Sequence, residues 1–232
     1  MIFFDGVSLD RVADVRIEDI HVSPIQYEPV TRPRAIQFGS EFVRMGGGTR
    51  TVAITFAIQD MDRVTRHEKL MALSQWAKTD REYKLELPQD LSRCLYAVCT
   101  AKPDPSLRQW WESKLRLVFT CESNPYWTAK AEKSVACGTQ FTAMGDAPPL
   151  MRIERTLASS ASNQSYSNSI ETMTFSTIPA GDMVIDLNAE TAVVGSTDIM
   201  QYYQPSGSFL IPRKGVQTIT GTGTVKYRER WE

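Results

Sequence analysis

Few side chains in this sequence are suited to acid–base or nucleophilic chemistry. There are two histidines, His21 and His67, and four cysteines, Cys94, Cys99, Cys121 and Cys137. His21 falls in a strand-like run with no acid or thiol next to it. His67 sits between Arg66 and Glu68 on a helical pattern, where a solvated ring is the default. No H-E-x-x-H, G-x-x-x-x-G-K-[ST] or G-x-S-x-G pattern is present, and no Cys/His cluster has metal-ligand spacing. Four cysteines fit two disulfides or four thiols. Cys94 and Cys99 flank LYAV and face opposite sides of a strand, which disfavours a local bridge. Four reduced, buried or half-buried thiols are expected. No cofactor and no metal is implied.

Carboxylate pairs give little more. Glu18 and Asp19 are adjacent, so a strand sends them to opposite faces. Asp186 and Glu190 flank the turn Asn188-Ala189, with Tyr202, Tyr203 and Phe209 close in sequence. A glycosidase or sugar-binding groove uses such a set. Surface acids beside core aromatics are the more ordinary outcome. Gly46-Gly47-Gly48 precedes a strand, whereas a phosphate cradle leads into a helix, so a hairpin turn is expected there. Trp110 and Trp111 stand together in a proline-bearing stretch. Either one of them is an exposed interface anchor, or both fold back over the body.

Composition narrows the class. The chain has 232 residues, 42% hydrophobic and 23% charged, enough for one large or two small cores. Lys and Arg total 26 and Asp and Glu 27, a net charge of -1, which argues against a DNA-condensing or anionic-membrane protein. Only four residues precede Asp5, and no basic region leads them, so no signal peptide is expected. No run reaches the roughly 20 apolar residues of a membrane helix.

The elements that must position any site read as follows. Val15–Val22 is a strand of imperfect alternation. Thr51–Ile58 is a clean one, with Val52, Ile54, Phe56 and Ile58 on one face. Asp60 or Asp62 caps an amphipathic helix over about 62–79, with Leu70, Leu73, Trp76 and Ala77 inward and Arg63, Arg66, Glu68, Lys69 and Lys78 outward. Strands follow at Tyr83–Leu87, Leu95–Thr100 and Lys114–Cys121, with Lys102–Glu112 as a loop. The segment of about 23–50, with Pro24, Pro29 and Pro33, reads as a two-stranded arm that needs a partner to lie on. Charge thins out near Trp127, which sets the domain boundary there: 1–127, then 128–232. The second half reads as short strands and turns without a helix, suggesting a β-sandwich. Strands are expected at 132–137, 150–156, 171–176, 183–187, 191–194, 208–211, 217–222 and 224–231. Ala147-Pro148-Pro149 is taken as a turn and Ala158–Ser169 as an exposed polar loop.

Residues 5–19 hold five acids against Arg11 and Arg16, while residues 32–50 hold Arg32, Arg34, Arg44 and Arg50 against Glu41. Two such stretches can meet across a head-to-tail contact that closes into a ring, or both can be solvated faces.

In order and spacing the chain resembles the distal tail (Dit) proteins of long-tailed bacteriophages. The match runs through IFFDGVSL, MGGGTRTVAITFAI, LMALSQWAKTD, YKLELPQDLSRCLYAV, LVFTCESNPYW and TITGTGTVKYRERW, and Asn124-Pro125-Tyr126 is the most specific local cue. The resemblance implies a mainly β fold: an N-terminal β-sandwich-like domain with one helix and a protruding belt hairpin, then a galectin-like β-sandwich. It implies a six-membered ring in which each belt embraces a neighbour. It also implies a place in the virion between the tail tube and the tail-tip protein, with DNA passing transiently through the channel, no membrane, and assembly in the host cytoplasm. No carbohydrate-binding insertion fits in this length. Interface residues are expected at Arg32, Arg34, Phe38, Phe42, Arg44, Arg50, Trp110 and Trp111. The other readings are a tube or terminator subunit, a lectin-like module, and an enzyme, which the residues support least.

Overall fold

The computed structural model describes the backbone of residues 1–33, 40–100, 106–109, 112–204 and 208–232, and side chains outside 28–47, 101–113 and 205–207. The fold is mainly β with one α-helix among the described residues. The chain divides into two compact units, Met1–Trp127 with Glu232, and Thr128–Trp231.

The first unit is built around one long strand. Its elements are β1 (Phe3–Phe4), β2 (Val7–Ser8), β3 (Arg16–Val22), β4 (Gln26–Pro33), β5 (Ser40–Gln59), α1 (Arg63–Trp76), β6 (Tyr83–Glu86), β7 (Arg93–Cys99), β8 (Ser106–Gln109) and β9 (Glu112–Cys121). The second half of β5 pairs with β3 on one side and with β9 on the other, from Arg50↔Cys121 to Gln59↔Glu112. Val52, Ile54, Phe56 and Ile58 are fully buried, as their alternation predicts. Phe4, Leu73, Leu85, Leu95, Leu115, Leu117 and Phe119 complete that core. Phe4, Trp76 and Phe119 meet edge to face, with ring centroids 5.0–6.2 Å apart.

Several local expectations change. β3 carries a bulge at Glu18, because Ile17 opposes Phe56 and Asp19 opposes Thr55; the extra residue shifts the phase and explains the imperfect alternation. The helix is shorter than 62–79. Asp62 caps it, accepting from the amides of Val64 and Thr65. Arg66, expected outside, is buried, and its guanidinium donates to the Asp60 carbonyl. The stretch expected as a loop before β9 contains β8, which pairs with β9. Gly48 lies inside β5 rather than in a turn, paired with Tyr27.

The second unit, entered through β10 (Trp127–Ala129), contains β11 (Lys133–Ala136), β12 (Gln140–Ala143), β13 (Ala147–Leu157), β14 (Ala161–Ser167), β15 (Thr172–Ile178), β16 (Gly181–Asp186), β17 (Thr191–Val194), β18 (Thr197–Asp198), β19 (Tyr203–Gln204), β20 (Gly215–Thr218) and β21 (Thr224–Trp231). One sheet runs β18-β17-β16-β13-β21-β11, a second β14-β15-β19, and β12 pairs with β20. Inward side chains of these strands meet in one core, including Met151, Ile153, Tyr166, Phe175, Ile185 and Val225. Ala147-Pro148-Pro149 opens β13 instead of forming a turn; the register against β21 slips there, where proline's missing N–H is tolerated. The polar run 158–169, expected as a loop, holds β14, whose Tyr166 is fully buried and donates to the Thr222 carbonyl. Residues 208–211, expected as a strand, form none.

Candidate functional site

The catalytic readings do not gain a site. His21 and His67 are exposed, and the described residues contain no group of three or more metal-ligating side chains. All four cysteines are free thiols. Burial pushes the Cys121 thiol up to about 12, which holds it in the unreactive protonated form. The Asp186 carboxylate accepts the amides of Asn188 and Ala189, so it is committed to its own turn instead of facing Glu190. Tyr202, Tyr203 and Phe209 pack against the core of the second unit, with Tyr203 5.7 Å from Phe209 and 5.8 Å from Phe175.

A shallow cleft of about 230 Å³ lies on the outer face of β13 and β21. Its charged side chains are already joined to one another. Arg152 meets Glu132 at 2.8 Å and Glu154 at 2.6 Å, Lys226 meets Glu154 at 2.6 Å, and Arg228 lies 3.6 Å from Glu132. None of the residues lining it is aromatic, so it lacks the flat apolar platform a sugar ring stacks on.

The feature with the most functional content is the ribbon formed by β4 and the first half of β5. Register runs from Gln26↔Thr49 through Tyr27↔Gly48 to Pro33↔Ser40. Within this ribbon each strand pairs with the other, and β4 has no second strand neighbour among the described residues. That open edge is why Pro29 and Pro33 are tolerated in β4. Two-stranded ribbons are marginal alone in water. Arg32, Phe42 and Arg44 lie on this ribbon, opposite Glu41, Thr31 and Val30 respectively. Arg34, Phe38, Trp110 and Trp111 lie outside the described residues.

The root of the ribbon is closely built. Ser23 clamps the strand beyond it: its amide donates to the Thr51 carbonyl at 2.9 Å, and its hydroxyl accepts from the Thr51 amide at 2.9 Å. The Tyr27 hydroxyl donates to Glu232 at 2.9 Å and lies 3.5 Å from that of Tyr126. The Tyr126 hydroxyl, burial and Glu232 all hold the Tyr27 phenol above its usual range, so it remains a donor. Gly48 lets the two strands close here, since a Cβ would collide with Ile25 and stand 3.0 Å from the Tyr27 ring. Arg50, where ribbon becomes core, is 4% exposed. Its Nε and Nη1 are buried without a hydrogen-bond partner, and desolvation lowers its pKa from the usual value. It lines an open cleft of about 430 Å³ with Val22, Pro24, Tyr27, Gln89 and Trp127.

Arg50 therefore belongs to the root, whereas the sequence placed it with the arm's basic residues. Tyr27, Ser23 and Glu232 were not legible as site residues. Gly48 was the available signal, because a glycine inside a strand marks a close approach of neighbours.

No protein-family model matches the chain, and a search of curated protein sequences finds no match. Among solved structures, the chain is similar to the Dit protein (gp 19.1) of phage SPP1, described as a paradigm of the hub adsorption apparatus in phages infecting Gram-positive bacteria. The TM-score is 0.76 at 15% identity, covering 100% of this chain and 98% of that one. A structure of the phage p2 baseplate in its activated conformation aligns with a TM-score of 0.44 at 8% identity, over 93% of this chain and 90% of that one. The likeness to the SPP1 protein shows a shared fold over the whole chain.

Proposed function

We propose that this chain is a distal tail protein of a long-tailed phage: a structural subunit that forms a ring, joins the tail tube to the tail-tip protein, and surrounds a channel through which DNA passes. The observation that carries the reading is the likeness in fold to the SPP1 Dit protein over the whole chain, both units at once. A tube or terminator subunit, usually a single domain, leaves the second unit unexplained.

The physical reading agrees. A ribbon with an open edge acquires a purpose when an adjacent copy covers it, and heterologous contacts of that kind close into rings. Six copies is the number that the resemblance implies. Residues 1–126 are charge-balanced, with 17 basic and 17 acidic side chains. A lumen without a basic excess lets phosphates pass without the grip of counterion release. The second unit serves as a galectin-like scaffold at the ring's periphery, and its self-paired charged face supports a structural role over sugar binding. The protein acts without catalysis, on the scarcity of reactive groups already described. It resides in the virion after assembly in the host cytoplasm. No helix among the described residues is long and apolar enough to cross a membrane.

Electron microscopy of the purified protein tests the reading. Rings with a central opening are expected. A monomer at every concentration, absent from phage particles, overturns it.

A further inference from the structure

The ring reading leaves unexplained a cation that the fold has buried at the ribbon's root. Arg50 is more than nine-tenths buried, yet two of its nitrogens meet no acceptor. Carboxylate Glu232 is near enough to act on it electrostatically, and it accepts a hydrogen bond from Tyr27. Cys121, opposite Arg50 in register, is held as a neutral thiol and supplies no counter-charge. A guanidinium in this condition is costly in the isolated chain, and a carboxylate that reaches it gains a strong, charge-assisted hydrogen bond.

We infer that the cleft lined by Arg50, Tyr27, Gln89 and Trp127 is a socket for an acidic side chain of a second copy of this chain, presented by its exposed acidic stretch with Asp10, Asp14 and Asp19. This rests on the ring reading and names the contact that locks it. The donor follows from charge. Asp10, Asp14 and Asp19 are all exposed, and none has an ion-pair partner among the described residues. The cleft, about 430 Å³ and open on one side, has room for a side chain. Arg50 itself lines that space. The socket adjoins the ribbon, so one neighbour engages both.

Self-association measured by sedimentation velocity decides the matter with four proteins: wild type, Arg50→Met, the surface triple Asp10→Asn/Asp14→Asn/Asp19→Asn, and the two combined. Each variant is expected to associate at least tenfold more weakly than wild type, and the combined variant no more weakly than either parent. Diluted to monomer, Arg50→Met is expected to melt no lower than wild type, because it removes a buried cation that lacks a partner. If Arg50→Met fails to fold, the triple still decides, since it leaves the root intact. Wild-type association in Arg50→Met or in the triple overturns the socket while leaving the ring standing. A wild-type protein that never associates overturns the ring and the socket with it. Arg50-dependent binding of a short oligonucleotide overturns the choice of a carboxylate.

Discussion

Removing the ribbon while keeping its root separates folding from assembly. Tyr27 and Gly48 are directly opposed, so replacing residues 28–47 by Asn-Gly leaves a two-residue hairpin between them. The excision takes away the pairs from Pro29↔Met45 to Pro33↔Ser40 and keeps Gln26↔Thr49, the Ser23–Thr51 clamp and the whole β5–β9 ladder. Each lost ribbon hydrogen bond contributes about 1 kcal/mol net. Ordering each ribbon residue costs about 1–2 kcal/mol of backbone entropy, which exceeds what the ribbon's few cross-strand bonds return in an isolated chain. The ribbonless monomer is therefore expected to melt no lower than wild type. Assembly is expected to be lost altogether, because in the proposed ring the excised ribbon is the element that lies on the neighbour. Thermal unfolding of the dilute protein and mass photometry at increasing concentration read the two quantities separately. A ribbonless chain that still forms rings, or one that no longer folds, refutes the reasoning.

Three further outcomes follow from the packing. Phe119→Ala removes a fully buried ring from the contact with Phe4 and Trp76 and is expected to destabilise the first unit by about 3–5 kcal/mol in chemical denaturation. Asp62→Ala deletes the helix cap that accepts from Val64 and Thr65 and is expected to lower the melting temperature of the dilute protein; Asp62→Asn, which can still accept, is expected to recover most of the loss. Glu154, bonded to Lys226 and then Arg152, titrates below its usual range, so its contribution is present above the unfolded-state pKa and lost as pH falls through the folded one. Melting curves from pH 6 to pH 3 are expected to fall more steeply for wild type than for Glu154→Gln, and parallel curves count against the assignment.

Long-range order was more legible in the sequence than local exceptions. The strand TVAITFAI announces its buried face by alternation, and Val52, Ile54, Phe56 and Ile58 are all fully buried. Asp62 announces the helix start by its capping chemistry. The misread places have specific causes. The polar run 158–169 looks like a loop because β14 shows mainly Ser, Asn and Gln, and a single Tyr166 anchors it in the core. Gly48 looks like a turn because glycine serves both positive φ and close approach; here its φ lies outside the left-handed region and the ring of Tyr27 explains it. Arg66 looks solvated because charge says so, yet a carbonyl just before the helix accepts from it. The root of the ribbon depends on residues far apart in sequence, Tyr27 with Glu232 and Ser23 with Thr51, and no local pattern encodes such meetings.

The continuity of β5 has a mechanical consequence. Ribbon and core share one unbroken strand from Ser40 to Gln59, and its inner half is stitched on both flanks by β3 and β9. A tug on the ribbon therefore reaches the body along the strand axis, as shear spread over many cross-strand bonds at once, and not as a peel that opens them one by one. In the proposed ring, a girdle of such subunits would resist being stretched apart at the point where each is fastened.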